Sequence, residues 1–132
     1  MIVLDTHVLV WWASGAVEHL SDTAARAIEH ERSGGRIVVS SISAWELAML
    51  VTRGRVALST DVEAWLALVA RIEAVEFVPV DNAIAVRSIE LPGTFHKDPA
   101  DRIIVATARK LGAPVVTADE KIRAYQHVRA VW

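Results

Sequence analysis

The sequence predicts an α/β fold in which a mostly parallel sheet of four or five strands lies between two layers of helices. Short apolar runs rich in β-branched residues alternate along the chain with longer segments of helical periodicity. Helical segments separate the predicted strands, and such crossover connections place successive strands parallel to one another. Hydrophobic residues make up 53% of the 132 residues, which suits a sheet that is covered on both faces.

The predicted strands are short and apolar. The first contains only Ile, Val and Leu and ends at Asp5. The second follows Gly34–Gly35 and is equally rich in β-branched residues, and the fifth is expected at an edge of the sheet. In chain order, the predicted strands are residues 2–4, 37–39, 77–80, 115–116 and 128–132.

The predicted helices begin at residues that cap helix N-termini, mainly Ser, Thr and Asp, and several end at a glycine. Asp98 followed by Pro99 is a strong start, because proline at the first helical position has no N–H to leave unpaired. Helices are predicted from Thr6 to Ala13, Ser21 to Arg32, Ser41 or Ser43 to about Gly54, Thr60 to about Glu73, Asn82 to Glu90, Asp98 to Gly112, and from Asp119 onward.

Length and composition exclude several classes of protein. A chain of 132 residues suits a single domain, expected to span residues 1–132, and such a chain needs no disulfide or metal in order to fold. Cysteine is absent, which excludes disulfides, thiolate metal sites and cysteine nucleophiles. The first residues include Asp5 and His7 and no basic segment, and no apolar run reaches about 18 residues. We therefore expect a cytoplasmic protein with no membrane association.

Five carboxylates lie where predicted strands end or helices begin. They are Asp5, Glu46, Asp98, Asp101 and Asp119. Because ligands in parallel sheets bind beyond the carboxyl ends of the strands, this is where a functional site is expected. Helix capping explains each acid taken singly, and Ser43 with Glu46 fits a capping box.

Taken together, the five acids favour a metal site over simple capping. Glu46 shares a helical face with Ile42 and Met49, and this face is expected to pack against the sheet, where a lone carboxylate is costly. Two charges about 4 Å apart repel by about 4 kcal/mol at an effective dielectric constant of 20, so a cluster requires a cation. Oxygen ligands select Mg²⁺ or Mn²⁺, which suit phosphoryl chemistry.

Three segments of the chain resemble the PIN-domain ribonucleases, and more narrowly the VapC-type toxins of toxin–antitoxin modules. The segments are IVLDTHVLVWW at 2–12, SISAWELAMLVTRGRV at 41–56, and HKDPADRIIVATARKLGAPVVTADEKI at 96–122. Their order and spacing extend the likeness over essentially the whole chain. The resemblance implies a PIN-like three-layer α/β/α sandwich.

The resemblance also implies an activity and a set of site residues. The implied activity is a Mg²⁺- or Mn²⁺-dependent endoribonuclease that cleaves single-stranded or structured RNA and acts as a toxin in the prokaryotic cytoplasm. The implied catalytic and metal-binding acids are Asp5, Glu46, Asp101 and Asp119, with Asp98 as a further metal ligand and Thr117 as a supporting hydroxyl. The implied partners are a cognate VapB-like antitoxin and a second copy of the chain in a homodimer.

Basic residues near the acidic motifs are candidates for RNA contact. They are Arg53, Arg55, His96, Lys97 and Arg102. The chain has 14 Lys and Arg residues against 16 Asp and Glu residues, so setting the five candidate acids aside leaves 11 acids and a net charge of +3. A metal-loaded protein can therefore accept a polyanion.

Two other functions remain open on the sequence. One is a non-catalytic RNA-binding or scaffold module, although such a module has no reason to keep mutually repelling carboxylates together. The other is a different α/β metal-dependent phosphohydrolase. The haloacid-dehalogenase type needs a second acid two residues after the first, and His7 stands at that position.

Overall fold

The structure is a computed structural model that describes all 132 residues. Its centre is a single five-stranded sheet in which every neighbouring pair of strands is parallel, in the order β3-β2-β1-β4-β5. The strands are β1 (Ile2–Leu4), β2 (Ile37–Ser40), β3 (Val75–Val78), β4 (Val115–Val116) and β5 (Ala130–Val131). The predicted α/β class is confirmed, and the sheet is wholly rather than mostly parallel.

Seven α-helices and one short 3₁₀ turn at Val17–His19 connect the strands. The helices are α1 (Thr6–Ala13), α2 (Asp22–Arg32), α3 (Ile42–Thr52), α4 (Val62–Ala70), α5 (Asn82–Ile89), α6 (Pro99–Leu111) and α7 (Glu120–Arg123). None of them has both the length and the apolarity that crossing a bilayer requires.

The sheet is buried on both faces, and its side chains alternate between two hydrophobic clusters. Ile2 and Leu4 of β1 pack into one cluster with residues of α1 to α4, whereas Val3 packs into the other with residues of α5 to α7. This alternation follows from the two-residue period of a strand. Burial on both faces explains why the sequences of the strands are continuous apolar runs, as expected for a parallel sheet between two helical layers.

The register of the two central strands positions the polar residues that follow them. Leu4 of β1 pairs with Val116 of β4, and the amide of Asp5 donates to the carbonyl of Val116. Asp5 and Thr117 are therefore the first residues beyond two adjacent parallel strands. They lie side by side at the carboxyl edge of the sheet, where α/β proteins bind their ligands.

The third strand lies two residues earlier than the sequence predicts. It begins at Val75 and ends at Val78, because its pairing with β2 runs from Ile37 to Ser40 and the next residue, Pro79, has no N–H to extend the ladder. Helix α4 accordingly stops at Ala70 rather than near Glu73. The fifth strand is also shorter than predicted and contains only Ala130–Val131.

Candidate active site

Asp5 occupies the centre of the carboxyl edge and is buried there, 7% exposed. Its Oδ1 accepts a hydrogen bond from the amide of Thr6 at 2.8 Å, and its Oδ2 accepts one from the Thr117 hydroxyl at 2.6 Å. Burial raises the pKa of Asp5, and the hydrogen bonds from Thr117 and Thr6 oppose that rise. The carboxylate is thus fixed in orientation at the end of β1.

Thr117 links Asp5 to a second predicted acid, Asp119. Its fully buried hydroxyl donates to Asp5 and accepts a hydrogen bond from the amide of Asp119 at 3.0 Å. Asp119 caps α7, because its Oδ1 accepts from the amide of Lys121 at 2.7 Å. These contacts are what the predicted supporting role of Thr117 requires.

Glu46 reaches the site from α3, but not as a capping residue. The helix begins at Ile42, and Ser43 lies inside it with its hydroxyl 2.8 Å from the Thr6 hydroxyl, so the Ser43–Glu46 capping box does not form. The buried positions of α3 are Ser43 and Leu47, and Glu46 lies at the margin of that face rather than on it. Its Oε1 is nevertheless buried and has no hydrogen-bond partner.

Asp98 and Asp101 project from the start of α6. Asp98 is the N-cap, and its Oδ1 accepts from the amide of Asp101 at 3.0 Å, which confirms the predicted cap. Glu46, Asp98 and Asp101 each place a carboxylate oxygen within 4.8 Å of the other two. We call these three residues the acidic trio. Asp98 is exposed, and the other two are partly buried.

The charges of the trio, Asp5 and Asp119 act on one another. The pKa of Asp101 rises to about 8, first because of burial and then because of the charges of Asp5, Asp98, Asp119 and Glu46. Burial also raises the pKa of Glu46, and Asp5 and Asp98 raise it further, against a smaller opposing effect of the Thr6 hydroxyl. All five predicted acids therefore belong to one electrostatic site.

The residues present fit a hard divalent cation. The donor set is entirely carboxylate, one buried oxygen of Glu46 lacks a partner, and burial together with repulsion from the other acids disfavours ionisation of Asp101. A bound cation would give the Glu46 oxygen a partner and would favour the ionised form of Asp101. Mg²⁺ and Mn²⁺ suit this site, since both prefer oxygen ligands. No histidine belongs to the trio.

The predicted RNA-contacting residues differ in what surrounds them. Arg53, Arg55 and Lys97 are exposed. His96 is half-buried, and its Nε2 lies 3.0 Å from Asp101 Oδ2, although the approach is not aligned as a hydrogen bond. His96 therefore lies directly beside the acidic trio.

Arg102, predicted as an RNA contact, is partly buried and has a structural role. Its guanidinium donates to four backbone carbonyls, those of Ser88 and Ile89 at the end of α5 and those of Phe95 and His96. Four of its five N–H groups are therefore occupied. Its guanidinium ties the loop that carries His96 to two helices and has little capacity left for phosphate.

Residues 2–128 match the sequence model of the family described as PIN domain. The chain belongs to the PIN-domain family. It is 39% identical over 130 residues to Ribonuclease VapC22 of Mycobacterium tuberculosis, an alignment that covers 98% of this chain and 95% of that protein. The family resemblance inferred from the sequence motifs is thereby confirmed.

Two solved structures share this fold at low sequence identity. VapBC2 from Rickettsia felis bound to a promoter DNA fragment superposes with a TM-score of 0.70 at 19% identity, over 98% of this chain and 97% of that one. A toxin–antitoxin complex from Klebsiella pneumoniae gives a TM-score of 0.64 at 20% identity, over 96% of this chain and 92% of that one. Both likenesses support the three-layer PIN fold.

Sequence reasoning missed the buried hydroxyl pair of Thr6 and Ser43. Both side chains are fully buried, and their contact joins α1 to α3 beneath Glu46. The signal was present, because each is a small polar residue in an otherwise apolar helical run and lies close to a site acid. A buried hydroxyl group needs a hydrogen-bond partner, and each of these two residues could have been proposed as the partner of the other.

The raised pKa of Asp101 predicts how stability depends on pH. Between about pH 4 and pH 8 the folded metal-free protein keeps a proton on Asp101 that the unfolded chain has lost, so the melting temperature should fall as pH rises towards 8 and level off above it. Glu29, Glu31 and Asp81, whose pKa values are lowered, are ionised in both states above about pH 5.5 and do not contribute to the slope there.

Calorimetric melting of metal-free wild type and of Asp101→Asn checks this prediction. The variant should show a flatter dependence on pH, because an amide does not ionise. A wild-type melting temperature that is constant or rises from pH 5.5 to 8.5, or an equal slope in the variant, would contradict it.

Asp98 and Asp101 should differ in their contributions to metal binding. Asp101 is mostly buried and Asp98 is exposed with one oxygen on the helix cap, so Asp101→Asn should lower Mn²⁺ affinity by about tenfold more than Asp98→Asn, which is about 1.4 kcal/mol. Asp98→Ala should also lower the free energy of unfolding by about 0.5–2 kcal/mol, since it removes the cap.

Calorimetric Mn²⁺ titration of each variant provides the measurement. Asp61→Asn is the matched control, because Asp61 caps α4 through the same kind of hydrogen bond, to the amide three residues later, and has no part in the acidic trio. Equal losses of affinity for Asp98→Asn and Asp101→Asn would mean that the two carboxylates are equivalent ligands.

Proposed function

We propose that this protein is a divalent-metal-dependent endoribonuclease and the toxin of a toxin–antitoxin pair in the prokaryotic cytoplasm. The observation that carries the proposal is the acidic trio of Glu46, Asp98 and Asp101, with Asp5 and Asp119 beside it at the carboxyl edge of the sheet. The relative from M. tuberculosis is named a ribonuclease, and the alignment with it covers nearly all of both chains.

The acids provide a site that can hold the metal ion. Glu46, Asp98 and Asp101 would be its ligands, with Asp5 and Asp119 close by to complete or balance the site. A divalent ion in such a site lowers the pKa of bound water and neutralises charge that develops on a phosphate. Because the pKa of Asp101 is about 8 without metal, binding of the ion near neutral pH should release a proton from this carboxyl group.

The residues around the acids orient and screen the site. Thr117 and the amide of Thr6 hold both oxygens of Asp5, so its carboxylate does not need to reorganise when an ion binds. His96 lies beside Asp101 with its buried Nε2 towards that carboxylate, so its contact with the RNA would be made by the exposed part of the ring. Arg53, Arg55 and Lys97 are exposed and free to contact the RNA backbone further away.

An antitoxin partner is part of the proposal. Solved neighbours include a toxin–antitoxin complex, and Trp45, immediately before Glu46 on α3, is 55% exposed. A large aromatic side chain at the margin of an acidic site suits an amphipathic partner helix that places a basic side chain among the acids. We also propose that the chain forms a homodimer.

The decisive experiment on activity is RNA cleavage by the purified protein with Mg²⁺, with Mn²⁺ and with excess EDTA. We expect cleavage with either ion, none with EDTA, and recovery when metal is restored. Asp5→Asn should reduce cleavage by about 100-fold or more in a protein that still folds, because Asn can still accept from the Thr6 amide although the Thr117 hydroxyl loses its carboxylate acceptor.

Asp61→Asn serves as the control for activity, since it alters a helix cap remote from the acids. Full cleavage in excess EDTA would exclude the metal-dependent mechanism. Metal binding without cleavage of any RNA would favour the non-catalytic module, and cleavage of small phosphate esters alone would favour another phosphohydrolase.

The partner is tested by co-expression with the short reading frame adjacent to the gene. We expect a stable complex that abolishes RNA cleavage, and Trp45→Ala should weaken it by about tenfold or more, as is typical for a buried aromatic anchor. Val17→Ala, at a side chain that is 56% exposed in the 3₁₀ turn, is the matched control. Size-exclusion chromatography with light scattering reports the homodimer; failure of both assemblies would leave an isolated nuclease.

A further inference from the structure

The largest cavity of the protein lies next to the acids but contains none of them. Its volume is about 590 Å³, within the range of pockets that bind small ligands. The loop before α6 and the segment from α7 towards β5 form its two walls. The lining residues that matter are Phe95, His96, Lys121, Tyr125, Gln126 and His127.

Both walls are joined directly to site acids. On one wall, His96 Nε2 lies 3.0 Å from Asp101 Oδ2. On the other, the amide of Lys121 donates to Asp119 Oδ1 at 2.7 Å. The cavity therefore begins at residues that contact the acids directly. If the acids bind the phosphate that is cleaved, the neighbouring nucleotide of the RNA would lie in this cavity.

Aromatic rings contact one another in a continuous chain along the cavity, in which Tyr125 is buried and Phe95, His96 and His127 are partly exposed. The ring centroids of Phe95 and His96 are 4.5 Å apart, those of Phe95 and Tyr125 are 4.7 Å apart, and those of Tyr125 and His127 are 5.3 Å apart. Protein recognition of single-stranded RNA depends on stacking of unpaired bases against such rings. A hydrophobic core function does not explain His96 and His127, which are only partly buried.

This chain of aromatic rings is held in place before any ligand binds. The Tyr125 hydroxyl donates to the carbonyl of Pro92, and Arg102 donates to the carbonyls of Phe95 and His96. A Cβ at Gly93 would come within 3.3 Å of His127 Nε2, so the glycine lets the loop pack closely against this ring. Such preorganisation lowers the entropic cost of binding.

Polar groups at the cavity can distinguish one base from another. The carboxamide of Gln126 is exposed and its Nε2 lies 3.4 Å from His127 Nε2. A carboxamide offers both donors and an acceptor, and an imidazole offers one of each, which matches the hydrogen-bonding edge of a base. Lys121 adds a positive charge for a neighbouring phosphate.

We propose that this cavity binds the base of the nucleotide next to the cleaved phosphodiester bond, and that Gln126 and His127 select which base it accepts. The inference rests on the proposed ribonuclease function and adds to it a subsite that selects one base beside the cleavage site. Phe95, which is partly exposed, supplies stacking against the base, and the two polar side chains supply the choice of base.

The test compares base preference at the cleavage site on a randomised RNA pool, read by sequencing the products. Wild type should favour one base at a single position beside the cut. The double variant Gln126→Ala with His127→Ala should lower the ratio of preferred to disfavoured cleavage by about tenfold. The matched control is Asn82→Ala with His30→Ala, which removes the other carboxamide of the chain and an exposed histidine elsewhere.

A second measurement is independent of cleavage. Binding of the four nucleoside 5′-monophosphates to the metal-loaded protein, followed by NMR, should show a preference that the double variant loses and the control retains. Circular dichroism verifies that each variant is folded.

The outcomes separate the two proposals. RNA cleavage with an unchanged base preference in the double variant would overturn the cavity assignment and leave the nuclease intact. Absence of RNA cleavage in wild type would overturn the proposed function, and the monophosphate measurement then decides the cavity alone. Loss of selective binding in the double variant would support it, and equal binding by wild type and double variant would overturn it.

Discussion

The contact between Asp5 and Thr117 is the constraint on which the site depends. The two residues follow adjacent parallel strands, and the Leu4–Val116 register is what brings their side chains within 2.6 Å. A shift of one residue in that register would turn one of the side chains to the opposite face of the sheet. Through Thr117 the same contact fixes the start of α7 and hence Asp119, so the packing of the central strands determines the geometry of the acids.

Helix capping and metal binding are not alternatives in this protein. Asp5, Asp98 and Asp119 are all N-caps, and each gives one oxygen to a backbone amide of its own helix. The cap bond fixes the side chain and leaves the remaining lone pairs for other partners. A sequence can therefore satisfy a simple capping explanation at every position and still assemble a binding site, because the caps converge on one edge of one sheet.

The sequence was sufficient to predict the order of the elements and the convergence of five acids at one edge of the sheet, and insufficient for features that depend on packing. Runs such as residues 2–4 and the Asp98–Pro99 start are local signals. The early end of β3 depended on its register with β2, and the structural role of Arg102 depended on four carbonyls that only the folded loop brings together. The cavity beside His96 likewise joins segments about 30 residues apart in the chain.

Glu46 differs from the other acids in how its position is maintained. Asp5, Asp98 and Asp119 are held by amides, and Asp101 lies one turn into α6, but the longer side chain of Glu46 has an Oε1 with no partner at all. A buried carboxylate oxygen without a hydrogen bond is costly, and its pKa rises in response. In the metal-free site, backbone amides therefore orient three of the acids, whereas the carboxylates of Asp101 and Glu46 have no such hydrogen bond. Glu46 is carried by α3, the helix that also carries the exposed Trp45, so a partner bound at Trp45 would lie beside the acid whose buried oxygen has no hydrogen bond.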